Sequence, residues 1–299
     1  MDKWFENKFE GDNLRGYTKR RLNPGFSFQN FFRKFGVTTW IIIIDVIVFI
    51  AISIINITYP NIINYLSLTP NLVFHKKYLG TLFTSMFMHA NFVHLFVNMI
   101  SLFFLGGVVE KIIGRKRFFW FYLISGIIGG IVFASLSYFF GITSLGSKIF
   151  VDPAISAVGA SGAIFGLAGL LAVLMPYRKV SLIAGPLIAI IIQAVLSSFF
   201  PNNPLLAVID PIITIYIFVS IFLMLSFNPR LIRLSVPINL SFWLLPIVAI
   251  VPLVIIGLFI QLPIGNTAHL GGLVVGLVYG LYLRQKYKRK TAMISKYFS

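Results

Sequence analysis

The sequence predicts an all-α fold, a bundle of helices that crosses a membrane several times. Of its 299 residues, 58% are hydrophobic and only 11% are charged, and the mean hydropathy is +0.91. Apolar stretches recur at about 20 residues, which is the length that a helix needs to cross a hydrocarbon core of about 30 Å. A transmembrane β-barrel would show short segments of alternating hydrophobicity instead.

Eight apolar segments follow one another along the chain and define the predicted polytopic bundle. They cover roughly residues 38–58, 90–109, 118–140, 158–175, 180–199, 206–226, 238–260 and 266–283. The fourth segment is short, and its lead-in of Val151, Asp152 and Pro153 indicates that it begins below the membrane surface. The turn at 201–204 joins segments five and six as either two full spans or a re-entrant hairpin.

The charged residues lie between these segments. With the N-terminus inside, 22 of the 25 Lys and Arg residues fall on the inner side, and only Lys76, Lys77 and Lys148 fall outside. This bias predicts a multi-pass protein of the cell membrane with about eight spans and both termini in the cytoplasm. The same distribution argues against nucleic acid as the partner, despite a net charge of +17. Residues 1–36 and 285–299 are predicted cytoplasmic tails, and the first is interpreted as an anchor near anionic lipid.

Several classes of function are disfavoured by simple counts. The chain has no cysteine, so a disulfide framework and a thiolate metal site are excluded. His89 and His94 are five residues apart, and no pair of histidines has the spacing of a metalloprotease motif. We therefore expect no metal and no cofactor. The polar first 36 residues also show no secretory signal peptide.

A serine flanked by small residues opens the fourth segment, where Gly159, Ala160, Ser161 and Gly162 follow one another. Serine is a common packing residue in membrane helices, and that is the ordinary interpretation of Ser161 alone. The hydrolase elbow is rejected because position 163 is alanine and no strand precedes the helix.

A histidine opens the last segment. An ionisable side chain within a span is a functional-site hypothesis by default, although His269 could instead bond a neighbouring helix. Gly272 and Gly276 lie three and seven residues later, so they share its face. Gly162, Gly166 and Gly169 form a similar stripe after the serine. Such stripes let helix backbones approach closely. Contact of the two stripes would bring Ser161 within hydrogen-bond reach of His269, as a general base requires.

The second segment supplies candidate hydrogen-bond donors. His94 and Asn98 are four residues apart and face the same way. Together with the backbone N–H of Ser161 at a helix N-terminus, they could stabilise an oxyanion. The alternative is a polar network that only holds the helices together.

No carboxylate is evident beside His269 in the sequence. The acids outside the N-terminal tail are Asp45, Glu110, Asp152 and Asp210, and none is an obvious partner. We therefore predict a Ser-His dyad. Phe165, one turn after the serine, could stack on the imidazole and fix its ring.

At these residues the chain resembles the rhomboid family of intramembrane serine proteases. The matching pieces are His89 with His94 and Asn98, Glu110 to Arg115, Gly159 to Gly162, and Ala268-His269 with Gly272 and Gly276. They occur in the family's order over roughly residues 80–175 and 262–284. The Ser-Gly pair alone would be weak, but the set is specific.

The resemblance implies a role for each residue. Ser161 would be the nucleophile and His269 the base of a serine endopeptidase. His94, Asn98 and the Ser161 amide would form the oxyanion hole, and Phe165 would stack on the histidine. His89 would support the loop before the second span, and Glu110 and Arg115 would brace a cytoplasmic helix end. The expected substrates are transmembrane segments of other proteins within the lipid bilayer.

The spacing between serine and histidine departs from the family's six-helix core. Three apolar segments intervene where one is expected, so about residues 180–226 are interpreted as an inserted hairpin within a domain at 37–284. Pro246 and Pro252 predict that residues 238–260 form a mobile gate. Two alternatives remain, a rhomboid-like membrane-protein binding or remodelling factor without activity, and a transporter with a histidine proton relay.

Overall fold

The fold is known from a computed structural model that describes residues 35–200, 202–225, 230, 233–259 and 265–297. Almost all of the predicted N-terminal tail at 1–36 lies outside the described residues. The predicted all-α membrane bundle is confirmed. Four of the described helices are long and apolar enough to cross a membrane, and four shorter ones are also apolar. The number of crossings and the cytoplasmic termini stay predictions.

The first half of the bundle contains three long helices with short ones between them. In chain order these are α1 (Val37–Thr58), α2 (Ile62–Leu66), α3 (Pro70–Phe74), α4 (Thr81–Thr84), a 3₁₀ turn (Ser85–Phe87), α5 (Phe92–Ile113) and α6 (Arg115–Phe140). A π-helical stretch, Leu102–Gly106, lies within α5.

The second half carries the shorter apolar helices and a two-stranded sheet. It comprises α7 (Ser144–Phe150), α8 (Ser161–Leu174), β1 (Lys179–Ile183), α9 (Ala184–Phe199), α10 (Leu206–Leu225), a 3₁₀ turn (Arg233–Ser235), β2 (Pro237–Ser241), α11 (Leu245–Phe259), α12 (Asn266–Lys286) and α13 (Lys288–Tyr297).

The centre of the bundle is α8, which packs closely on α12 and α6. Its buried residues include three glycines and the large side chains Leu167, Leu170 and Leu171. A Cβ at Gly272 would lie only 2.8 Å from the carbonyl carbon of Gly162 and still closer to the carbonyl oxygen of that residue. Because real Cβ contacts almost never fall below 3.0 Å, only glycine permits this approach of α12 to α8.

A glutamate anchors the start of α1. The Glu110 carboxylate accepts hydrogen bonds from the backbone N–H groups of Val37 (2.8 Å) and Thr38 (2.9 Å), and from the Thr38 hydroxyl (2.7 Å). Arg115 Nε lies 3.6 Å from the same carboxylate. These amides have no carbonyl partner within their own helix, and a negative charge there also complements the helix dipole.

The predicted starts of the fifth and seventh apolar segments are wrong, because each begins with a β-strand. The sequence predicts apolar spans over 180–199 and 238–260, but β1 and β2 occupy the first residues of each and pair antiparallel from Lys179↔Ser241 to Ile183↔Pro237. Each strand has only five residues and leads into an apolar helix, so the sequence pattern merges strand and helix into one predicted segment. The strands flank the stretch interpreted as an inserted hairpin, which remains a prediction.

The predicted gate is shorter than its apolar segment. Helix α11 spans 15 residues, and Pro246 is its second residue, where a missing N–H costs no helical hydrogen bond. Only Pro252 lies in the interior of the helix, so only this proline removes an intrahelical bond.

Candidate active site

The serine stands where the chain enters α8. Ser161 is the first residue of that helix, so its backbone N–H has no carbonyl one turn earlier to bond. Two residues before it, Gly159 has φ = +129°, a conformation that residues with a Cβ rarely adopt. This turn presents both the hydroxyl and the N–H of Ser161 at the helix N-terminus, where the helix dipole favours negative charge.

The structure brings this serine to the histidine that opens α12. His269 Nε2 lies 2.8 Å from Ser161 Oγ, across 108 positions of sequence. The His269 side chain is buried, and its other ring nitrogen, Nδ1, has no hydrogen-bond partner in the described part of the chain. No carboxylate therefore orients the ring in the manner of a catalytic triad.

The side chain that contacts the His269 ring is aromatic, not acidic. The Phe165 ring stacks on His269 with a centroid separation of 4.3 Å and an interplanar angle of 13°. Phe165 lies one turn after Ser161 on α8, so one helix carries both residues that contact the imidazole. The stack restricts rotation of the ring while leaving Nε2 directed at the hydroxyl.

A second histidine faces the serine from the N-terminal turn of α5. A Cβ on Gly159 would lie 3.0 Å from His94 Nε2 and 3.7 Å from Ser161 Oγ, so the glycine leaves open the space between them. The Ala90 backbone N–H donates to His94 Nδ1 at 3.5 Å. An Nδ1 that accepts leaves the proton of a neutral imidazole on Nε2, the nitrogen on the serine side.

Asn98 lies one turn further along α5 and is buried. Its Nδ2 donates to the His94 carbonyl at 2.8 Å. A primary amide has two N–H groups, so one remains for a ligand. His94 and Asn98 thus share a helix face, as the sequence predicts.

His89 does not reach the serine. Its ring packs on that of His94, with centroids 5.3 Å apart and planes at 66°, and its Nδ1 lies 3.9 Å from the carboxylate of Asp45 in α1. Burial, and to a smaller extent the proximity of His94, lowers the pKa of His89 to about 3, so this imidazole is neutral at pH 7.

Asp45 is a buried neighbour of these residues that the sequence does not place near them. It is fully buried beside His89, whereas the sequence places it only within the first span. An acidic residue inside an apolar segment is itself a signal of function, but sequence spacing does not reveal which loop packs on it. In the described residues, no three His, Asp or Glu side chains are grouped so as to hold a metal.

The comparison with protein families decides the classification. The model of the Rhomboid domain matches residues 76–210 and 212–286, which include every site residue named above except Asp45. The chain belongs to the rhomboid family. The resemblance drawn from the sequence motifs is thereby confirmed.

Known rhomboid proteins differ in how much of their length they share with this rhomboid. "Putative rhomboid protease YdcA" of Bacillus subtilis is 29% identical over 185 residues, 59% of this chain and 83% of that protein. "RHOMBOID-like protein 1" of Arabidopsis thaliana is 40% identical over 103 residues, 34% of this chain and 23% of that protein. "Rhomboid protein 1, mitochondrial" of Saccharomyces cerevisiae is 35% identical over 102 residues, 34% of this chain and 27% of that protein. The last two matches thus span about a quarter of the relative's length.

Proposed function

We propose that this rhomboid is an intramembrane serine endopeptidase that hydrolyses peptide bonds in or near transmembrane segments. The observation that carries the proposal is the 2.8 Å contact between Ser161 Oγ and His269 Nε2. This is the distance at which a general base takes a proton from a nucleophile. The buried, stacked imidazole and the open helix N-terminus around it supply the other requirements of acyl transfer.

The first step forms the acyl-enzyme. Ser161 Oγ attacks the scissile carbonyl carbon while His269 Nε2 takes the hydroxyl proton, and the carbonyl π electrons move to the oxygen. The tetrahedral intermediate then collapses. Its C–N bond breaks, and the His269 imidazolium returns the proton to the leaving nitrogen.

The negative oxygen needs donors that are in place before the reaction. The Ser161 N–H and His94 Nε2–H lie near each other at the N-terminus of α8, and Asn98 follows one turn along α5 with a second N–H to donate. Removing one such donor costs about 10²–10³ in rate in a serine protease.

The second step releases the acyl group. A water molecule gives its proton to His269 Nε2 and attacks the ester carbon, and the imidazolium then returns that proton to Ser161 Oγ as the C–O bond breaks. Phe165 has a role in both steps because a stacked aromatic face also stabilises the imidazolium. In this scheme the aromatic ring, and not a carboxylate, stabilises the positive charge that His269 carries in each step.

The proposed substrates are membrane proteins. A helical segment shields its own carbonyl groups by hydrogen bonds, so the bond to be cut must first unwind. Helix-breaking residues and small side chains near the cut are consistent with that requirement. With the predicted orientation, the site opens towards the outer side of the cell membrane and both termini lie in the cytoplasm.

The experiment uses purified protein in liposomes with a panel of single-span proteins that carry glycine or proline in the outer third of the span. Wild type should cleave members of the panel. Ser161→Ala and His269→Ala should lower the rate by at least about 10³-fold. Ser156→Ala, a change at an exposed serine five residues earlier, is the matched control and should cleave normally. Cleavage that persists in Ser161→Ala would refute the proposal, and a non-proteolytic role would then be favoured.

A further inference from the structure

A buried carboxyl group lies behind the proposed oxyanion site. Asp45 is 0% exposed, and its Oδ1 lies 3.9 Å from His89 Nδ1, whose side chain is equally buried. In the described chain, neither carboxyl oxygen of Asp45 and neither ring nitrogen of His89 makes a hydrogen bond of normal geometry, although the Phe87 backbone lies close enough to act on the His89 pKa. Burying an unpaired polar group costs several kcal/mol in an apolar medium, so a hydrogen bond between these two groups would be favourable.

The pair is one small movement away from a hydrogen bond. A rotation of the imidazole that shortens 3.9 Å by about 1 Å would reach the usual N···O distance. A proton that stays on the carboxyl and is donated to Nδ1 of the neutral imidazole leaves the pair without charge. This arrangement satisfies both groups without a net charge inside the apolar bundle.

His89 belongs to the loop that lines a cavity of about 240 Å³ together with Phe49, Ile52, Ser53, Asn56 and Met88. Its side chain is itself fully buried, so a polar contact that fixes the imidazole has to come from the protein. Asp45 is the acidic group placed to make that contact.

The ring of His89 in turn supports His94. Their planes meet at 66° with centroids 5.3 Å apart, an edge-to-face contact. The Nε2 of His94 then faces the space in front of Gly159, beside Ser161 Oγ. The order of contacts from α1 to the serine is therefore Asp45, His89, His94.

We propose that Asp45 is a positioning residue, which fixes His89 and through it holds His94 Nε2–H towards the oxyanion. The proposal rests on the proposed role of His94 in catalysis. A purely structural role makes a different prediction, since losing one partner of a buried polar pair lowers stability but need not alter the orientation of His94 in the folded protein. The two roles are therefore distinguished by the His94 signals and by kcat measured on folded protein when Asp45 becomes leucine.

The positional test is spectroscopic and does not need activity. The chain has four histidines, so ¹⁵N-histidine labelling of the full protein in lipid nanodiscs gives four imidazole signal sets, each assigned by a His→Gln variant. Asp45→Leu should shift the signals of both His89 and His94 and leave those of His75 and His269 in place. Asp45→Asn should restore them in part, because its amide can donate to His89 Nδ1.

The catalytic test separates binding from turnover. Asp45→Leu should lower kcat by about tenfold with KM unchanged, less than outright loss of an oxyanion donor, when both proteins are assayed well below their melting temperatures. Asp45→Asn should recover most of kcat. Tyr122→Phe is the matched control, because it removes another buried polar group without a hydrogen-bond partner in the described residues. It should leave kcat and all four histidine signal sets unchanged.

Each outcome decides the proposal. Unchanged His94 signals in Asp45→Leu would overturn it, as would a His94 shift with normal kcat. If wild type shows no hydrolysis that depends on Ser161, the proposed function fails. The histidine spectra then still decide whether Asp45 sets the orientation of His94.

Discussion

Replacing Gly272 by alanine tests whether the glycine contact between α8 and α12 sets the distance between serine and histidine. Gly272 follows His269 by three residues, and the glycine that it meets, Gly162, follows Ser161 by one residue. Any separation of the helices at this contact is therefore transmitted almost directly to the Ser161–His269 pair.

The size of the effect follows from the distances. The new Cβ would lie 2.8 Å from the Gly162 carbonyl carbon, whereas ordinary contacts are 3.4–4 Å. The helices must separate by at least about 1 Å, because close-packed backbone cannot absorb such an overlap. The Ser161–His269 distance of 2.8 Å would then exceed hydrogen-bond range. A displacement of this size costs about 10²-fold in rate, and the overpacking costs about 1–3 kcal/mol of stability.

The assay measures the cleavage rate in liposomes together with thermal unfolding. The matched control is Gly107→Ala, because a Cβ at this helical glycine meets nothing within 4 Å and alanine is the better helix former. Gly107→Ala should keep full activity and equal or higher stability. Full activity in Gly272→Ala would show that the glycine contact does not set the geometry of the site.

Three further predictions concern individual side chains. Phe165→Leu should lower kcat by about tenfold, since the His269 ring loses its stacking partner, whereas Phe165→Tyr should retain activity; equal kcat for the two variants would contradict this role. Glu110→Ala should lower the free energy of unfolding by about 2–3 kcal/mol, because the first amides of α1 lose their acceptor; a melting temperature equal to that of Glu110→Gln would argue against the cap. Gly159→Ala should slow labelling by a fluorophosphonate, because its φ is positive and the new Cβ would lie 2.8 Å from His94 Cε1; a wild-type labelling rate would exclude this requirement.

The pairing of the two helices could be predicted from the sequence because several patterns agree. The glycine stripes after Ser161 and His269 have helical spacing, and small residues permit close approach in membranes. Helical periodicity also placed Phe165 near the imidazole. These predictions use only the geometry within one helix and the identity of the facing side chains.

The contact between Asp45 and His89 could not be predicted in the same way. It joins the middle of one span to a loop before another, and the path of that loop depends on the short helices α2 to α4. The strands β1 and β2 were not predicted because each has only five residues and is predicted as the start of the apolar helix that follows it. Their pairing partner is about 60 residues away along the chain.

The most direct test of the central claim is to find which atom is the nucleophile. Purified protein is treated with a fluorophosphonate and digested, and the modified peptide is identified by mass spectrometry. The account predicts a single adduct on Ser161 in wild type and none in His269→Ala, because the hydroxyl needs the imidazole as its base. Modification at another serine, or a Ser161 that stays unmodified while the protein cleaves its substrate, would contradict the account.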